Sequence, residues 1–212
     1  MKKKIAYLFT HPALELPFLE QYIYLPDAIF VGVDAGTETI IQLGRKPDVI
    51  IGDLDSLNSS LLHELEIHIP VVRYPEKKNE TDSELAILWC LEQNVEEIVV
   101  FNTMTGRFDH VLGLLQNLLY AKKRGIKASI ETGTQQMFFL QNQNELNGKK
   151  GMKLSLIPFT EEATAVRTEN LEFPLCSENL YQHQSRGISN EFSHDKAKVS
   201  FEHGELLAIL TH

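Results

Sequence analysis

The strongest constraint on the fold is a change of pattern partway along the chain. In the first part, short β-rich runs stand at 3–10 (KKIAYLFT), 28–34 (AIFVGVD), 48–53 (DVIIGD), 70–75 (PVVRYP), 96–102 (EEIVVFN) and 127–132 (KASIET). Segments of helical period separate them. Between residues 109 and 125, for example, Val111, Leu112, Leu115, Leu118 and Leu119 fall at helical spacings. Gly125 then follows a basic last turn, a helix stop signal. Parallel strands need long crossovers, so strand–helix alternation predicts a mainly parallel α/β sheet with helices on both faces.

The last part reads differently. MFFL, MKLSLIPF, KAKVSFE and ELLAILTH look like strands, while QNQNELNGKKG and FEHGE look like turns. No long helical period interrupts them, so a smaller all-β sandwich or barrel domain is expected. The expected division is an α/β domain over 1–136 and a β-rich domain over 137–212.

Charge and cysteine content narrow the functional classes. The formal net charge is −9, which disfavours nucleic acid as a partner, because that affinity rests on Lys and Arg meeting phosphates. Cys90 and Cys176 form no C-x-x-C pair, so neither a disulfide framework nor a thiolate zinc site is indicated. No apolar run is long enough to span a membrane, and the basic start MKKKIAYLFT lacks the length and cleavage site of a secretory signal. A cytoplasmic protein is expected.

The chemistry collects where strands end. Asp34 closes the second run; Asp53 closes the third, with Asp55 one residue on. The fourth run leads into YPEKKNETDSE, with Lys78, Thr81 and Asp82, and the fifth into NTMTGRFDH, with Arg107, Asp109 and His110. Each group has an ordinary reading. Asp53 and Asp55 suit a turn, Thr81 and Glu84 form a capping box around Asp82, and Asp109 suits a helix N-cap. Lys77 and Lys78 suit a solvated turn. Ligands of open α/β sheets, however, bind outside the carboxyl ends of the strands. Carboxylates gathered there suit a hard divalent ion shared with substrate phosphates, and a helix N-terminus, an Arg fork and a close-approaching Gly suit the phosphates themselves.

The set GDLDS (52–56), ETDSELA (80–86), GRFDH (106–110) and RGISNEF (186–192) resembles thiamine pyrophosphokinase in order and spacing over essentially the whole chain. The resemblance implies a catalytic α/β domain, a β-rich thiamine-binding domain, and a homodimer with thiamine bound between subunits. It implies Mg2+-dependent transfer of the diphosphoryl group from ATP to the thiamine hydroxyl, releasing AMP. By motif, Asp53, Asp55 and Asp82 resemble the metal-site acids. The resemblance makes Asp109 a candidate further ligand or proton acceptor, and Arg107 and Lys78 candidates for stabilising charge on the transferred group. Asp34, Gly36, Lys78, Thr81 and His110 resemble the ATP-binding residues, and Ser189 and Asn190 the thiamine-recognition turn. The chain departs from the pattern at Thr10-His11, at Ala35, at NTMT (102–105) and at Asn79.

Two rival readings remain at this point. An aspartyl phosphatase also uses D-x-D after a strand, though usually the first strand. A non-catalytic nucleotide sensor would accommodate the lost glycines.

Overall fold

A computed structural model describes residues 4–11, 15–23 and 28–212. The chain divides into two compact units, Met1–Gly133 and Thr134–His212. The first runs β1 (Ile5–Phe9), α1 (Leu16–Ile23), β2 (Ala28–Val33), α2 (Gly36–Gln42), β3 (Val49–Gly52) and α3 (Ser59–Leu65). It continues through β4 (Val71–Arg73), α4 (Asp82–Glu92), β5 (Glu97–Phe101), α5 (Phe108–Lys123) and β6 (Lys127–Glu131). The strands lie in the order β6-β5-β1-β2-β3-β4, and their pairings are parallel.

Register decides which side chains share a face. Tyr7, Phe30 and Val99 are in-register partners. With Phe9 and Phe101 they form a core against Leu19 of α1 and Ile40 of α2. Ile50 extends this face to Leu62 and Leu65 of α3. The alternate residues Ala6, Leu8, Val31, Ile51, Ile98 and Val100 are fully buried on the other face. Right-handed crossovers explain the division. The chain steps one way through the sheet from β1 to β4 and the other way from β4 to β5 and on to β6, so α4 and α5 pack opposite α1–α3. The rings of Tyr7, Phe9, Phe30 and Phe101 meet mostly edge-on or tilted. Each such pair adds about 0.5–1.5 kcal/mol to the burial of the rings, which ties β1 firmly to both neighbours.

Helix ends follow their sequence signals in part. Thr81 Oγ1 accepts the Glu84 N–H at 3.2 Å, as the capping box predicts. Asn58 caps α3 by accepting the N–H groups of Ser60 and Leu61. Asp109 is not an N-cap: it lies in the first turn of α5, after Arg107. The buried stripe of α5 is Leu114, Asn117, Leu118 and Ala121, whereas Leu112 and Phe108 are exposed. Several registers of this leucine-rich helix satisfy a helical period, and packing selected one.

The second unit holds two antiparallel sheets. One orders β12 (Asn190–Glu191), β9 (Lys153–Pro158), β14 (Leu206–Thr211) and β7 (Gln135–Phe139). The other orders β11 (Cys176–Tyr181), β10 (Glu162–Glu169), β13 (Lys196–Ser200) and β8 (Gln143–Asn147). Leu154, Leu156, Leu206, Ala208 and Leu210 of the first sheet share a core with Leu146, Val166, Leu180 and Val199 of the second, a sandwich. Over the whole chain the strands therefore pair both ways, and "mainly parallel" describes only the first unit. Strand β8 occupies the stretch read as a turn. It is polar except for the buried Leu146, and its pairing with β13 rather than its own composition makes it a strand. Among the described residues, no helix is long and apolar enough to cross a membrane.

Candidate functional site

Strands β1 and β5 are neighbours in the sheet but leave it toward opposite sides. The crevice at such a switch point is where α/β sheets bind ligands. A cavity of about 450 Å3 lies there, lined among others by Thr10, Asp34, Asp53, Asp55, Thr81, Asp82, Asn102 and His110. Strand ends, loops and one helix start thus deliver side chains that are far apart in the chain.

Asp34 follows β2 with φ 46°, and Leu54 follows β3 with φ 66°. Non-glycine residues in this left-handed region carry strain of roughly 1–2 kcal/mol each. The two are locked together, because the Leu54 N–H donates to Asp34 Oδ1 at 3.1 Å and the Asp34 N–H donates to the Ile51 carbonyl at 3.1 Å. The strain turns the Asp34 carboxylate across β3 toward Asp53 and Asp82. One carboxylate oxygen from each of Asp34, Asp53 and Asp82 lies within 4.8 Å of the others. Asp82 is the first residue of α4, where the helix dipole favours a negative charge.

The electrostatics follow from this crowding. Burial, reinforced by the charges of Asp82 and Asp53, pushes the Asp34 carboxyl up to about 7, against the pull of the Leu54 N–H. Burial also raises Asp53, but the Asp55 N–H and Lys78 outweigh it and hold Asp53 below the ordinary carboxylate range. Lys78 Nζ stands 2.9 Å from Asp82 Oδ1 and 3.3 Å from Asp53 Oδ2. The donor set is all carboxylate oxygen, half-buried and open to the cavity, which fits a small hard divalent ion.

The sequence-predicted residues separate into groups. Asp53 and Asp82 stand in the tight cluster, joined by Asp34 rather than by Asp55. Asp55 lines the same cavity but is exposed, and its N–H donates to Asp53 Oδ1 at 3.3 Å. Arg107 grips Asp109 with two hydrogen bonds, of 3.2 and 2.6 Å, and this pair is outside the cavity lining and largely exposed, at 72% and 64%. Arg107 holds the Asp109 carboxyl below its usual range. Gly36 makes room instead of contact: a Cβ there would lie 2.0 Å from the Phe9 carbonyl oxygen.

Ser189 and Asn190 lie in the second unit. Ser189 has φ 57°, and its N–H donates to Ser155 Oγ. Asn190 is buried, and its amide is spent on structure. Nδ2 donates to the Phe173 carbonyl at 2.7 Å, while Oδ1 accepts the Phe173 N–H at 3.1 Å. The Phe173 ring is thereby held out at 70% exposure beside the turn. Phe173 is one residue that motif reading missed.

Thr10 and Asn102 are two more. Asn102 Nδ2 donates to Thr10 Oγ1 at 2.9 Å, Thr10 Oγ1 donates to the Phe101 carbonyl at 3.1 Å, and Asn102 Oδ1 accepts the Met104 N–H at 2.7 Å. This chain of bonds joins the ends of β1 and β5 and fixes the loop leading to Arg107. The only signal in the sequence was the departure from a glycine-rich pattern at both places. Asn117 of α5 adds a brace, donating to Thr81 Oγ1 and Ser83 Oγ at the start of α4.

Comparison with known proteins gives a consistent set. Residues 23–130 match the family model described as thiamin pyrophosphokinase, catalytic domain. Residues 141–206 match that of the thiamin pyrophosphokinase vitamin B1 binding domain. The chain is 30% identical over 184 residues to thiamine pyrophosphokinase of Bacillus subtilis (strain 168), covering 85% of this chain and 86% of that protein. The crystal structure of the Bacillus subtilis protein is similar with a TM-score of 0.88 at 26% identity, covering 99% of each chain. That of thiamin pyrophosphokinase from Geobacillus thermodenitrificans has a TM-score of 0.83 at 26% identity, covering 98% of this chain and 97% of that one. The Candida albicans protein, at 14% identity and a TM-score of 0.85, shares the fold over 99% of this chain and 89% of its own.

Proposed function

Because the chain belongs to the thiamine pyrophosphokinase family, we propose that its Asp34–Asp53–Asp82 cluster is the Mg2+ site of an ATP:thiamine diphosphotransferase. The enzyme transfers the diphosphoryl group of ATP to the thiamine hydroxyl, giving thiamine diphosphate and AMP. The observation that carries the metal assignment is the convergence of three carboxylates from three separate strand ends and helix starts within 4.8 Å.

The reaction needs in-line placement and charge neutralisation more than covalent help. When bound, Mg2+ supplies the positive charge that offsets the polyphosphate and steadies the β-phosphoryl group. Asp34, Asp53 and Asp82 would hold the ion, and Asp55, at the cavity rim, would bind water or phosphate. The α4 N-terminus and Thr81 face the phosphates with partial positive charge and hydrogen bonds. Lys78, Arg107 and His110 balance charge on the transferred group and on the AMP that leaves. Asp109, held by Arg107, orients that guanidinium. The pair's exposure supports this role over that of ligand or proton acceptor.

In this reading residues 1–136 bind nucleotide and residues 137–212 bind thiamine. Phe173 offers an aromatic face to the cationic thiazolium, and Ser189 offers a hydroxyl; Asn190 positions both. The active unit is a homodimer with thiamine between subunits. Exposed apolar residues support this on both units, Phe108 and Leu112 on α5 and Phe173 and Ile188 near the turn. Free Cys90 and Cys176 agree with a reducing cytoplasm.

Two assays test the proposal. AMP release requires both thiamine and Mg2+; AMP formed without thiamine, or undiminished turnover in EDTA, would overturn it. Mixed dimers of an Asp82→Asn chain and a Phe173→Ala chain recover activity if each site draws on both subunits. Failure to recover in a confirmed mixed dimer rules out the shared site.

A further inference from the structure

Lys78 is placed differently from the other basic groups of the site. Its side chain is only 10% exposed, although lysines usually keep their ammonium in water. The ammonium stands between Asp53 Oδ2 and Asp82 Oδ1, at 3.3 and 2.9 Å. The longer contact is a hydrogen bond; the shorter one is an ion pair, and Asp82 Oδ1 has no hydrogen-bond partner among the described residues. Lys78 is therefore a charged group held within the acid cluster.

The ammonium cancels part of the negative charge that three crowded carboxylates build up. The oxygens that Lys78 engages belong to two of the three acids that would coordinate a divalent ion. A cation and an ammonium at one pair of carboxylates repel each other strongly, because the effective dielectric of a half-buried site is well below that of water. A lysine stem is long and flexible, and its head is a point charge with three rotatable donors. It can swing from carboxylate to phosphate oxygen.

Resting on the metal assignment above, we infer that Lys78 is an exchangeable counter-ion that competes with the divalent ion for Asp53 and Asp82. It yields those carboxylates when a polyphosphate arrives to receive it. Lys78 thereby disfavours uptake of the bare ion and couples metal binding to nucleotide binding. The divalent ion enters with ATP, and the ammonium passes from the acids to the phosphates, so the site stays near charge balance throughout.

Titration with Mn2+, with and without ATP and with no thiamine present, tests the inference. In Lys78→Met, Mn2+ alone binds at least about tenfold more tightly than in the parent, while ATP in the presence of Mn2+ binds more weakly. Lys78→Arg keeps the charge and binds Mn2+ as weakly as the parent. In the unaltered protein labelled with 15N-lysine, the Lys78 ammonium resonance shifts on adding MgATP. Unchanged or weaker Mn2+ binding in Lys78→Met, with parent binding still abolished by Asp53→Asn, overturns the counter-ion role and leaves the metal site standing. Parent Mn2+ binding that Asp53→Asn does not alter overturns both. If Lys78→Met fails to fold, an unshifted ammonium resonance in the unaltered protein overturns the inference and a shifted one supports it.

Discussion

The carboxylate of Asp34 rests directly on Gly52. A Cβ atom at Gly52 would lie 1.8 Å from Asp34 Oδ1, closer than atoms can approach. Gly52 also has φ +149°, a backbone conformation that glycine adopts without strain. The last residue of β3 therefore decides where the acid after β2 can point.

Gly52→Ala should expel the Asp34 carboxylate from the cluster. Turnover should fall about a hundredfold, as expected when a positioned group moves by an ångström. Stability should fall by roughly 1–3 kcal/mol. Kinetics and urea unfolding measure the two effects; parent turnover in the variant would mean that the position of Asp34 is immaterial.

Asp34 should also make stability depend on pH. Its folded pKa is raised, to about 7, so the folded protein holds a proton that the unfolded chain has lost. This stabilisation is full below the unfolded value near 4 and disappears as pH rises through 7. In the absence of divalent ions the parent should lose on the order of 1–2 kcal/mol relative to Asp34→Asn between pH 4 and 8, after discounting for solvent screening. Urea midpoints at both pH values supply the comparison; parallel pH profiles would place the Asp34 pKa elsewhere.

Asp53→Asn and Asp82→Asn should lower kcat by about a hundredfold or more with the fold retained, since each removes a charge from the site where phosphate charge is balanced. Asp109→Asn should cost much less, because Asp109 acts on the exposed Arg107 rather than in the cavity. Equal losses at all three positions would argue for a direct catalytic role of Asp109.

Asn190→Ala and Phe173→Ala should both raise the KM for thiamine while leaving that for ATP nearly unchanged. Only Asn190→Ala should also destabilise the protein, by roughly 1–3 kcal/mol, because it strips partners from the Phe173 N–H and carbonyl. A rise in the ATP KM instead would detach this turn from thiamine recognition.

Much of the site was legible in the sequence because its parts are local. A period of two against a period of 3.6 marks strands and helices, and Asp at a strand end or Thr before a helix announces itself within four residues. The motif set singled out Asp53, Asp55, Thr81, Asp82 and His110, and all five line one cavity. Strand β8, the exposed face of α5 and the structural use of Asn190 were not legible. Each depends on what lies opposite in space: Lys196–Ser200 beside β8, the packed face of the sheet beneath α5, and Phe173 across from Asn190.

Residue order was enough to set the strand–helix succession, the change to β structure after the first unit, and the strand ends at which acids stand, because these follow from backbone and side-chain preferences over a few residues. It took the assembled sheet to make Asp34 rather than Asp55 complete the cluster and to bring Lys78 into it. Those outcomes depend on the register of β2 against β3, the missing side chain at Gly52 and the strained turn at Asp34, which act together only when the strands lie side by side.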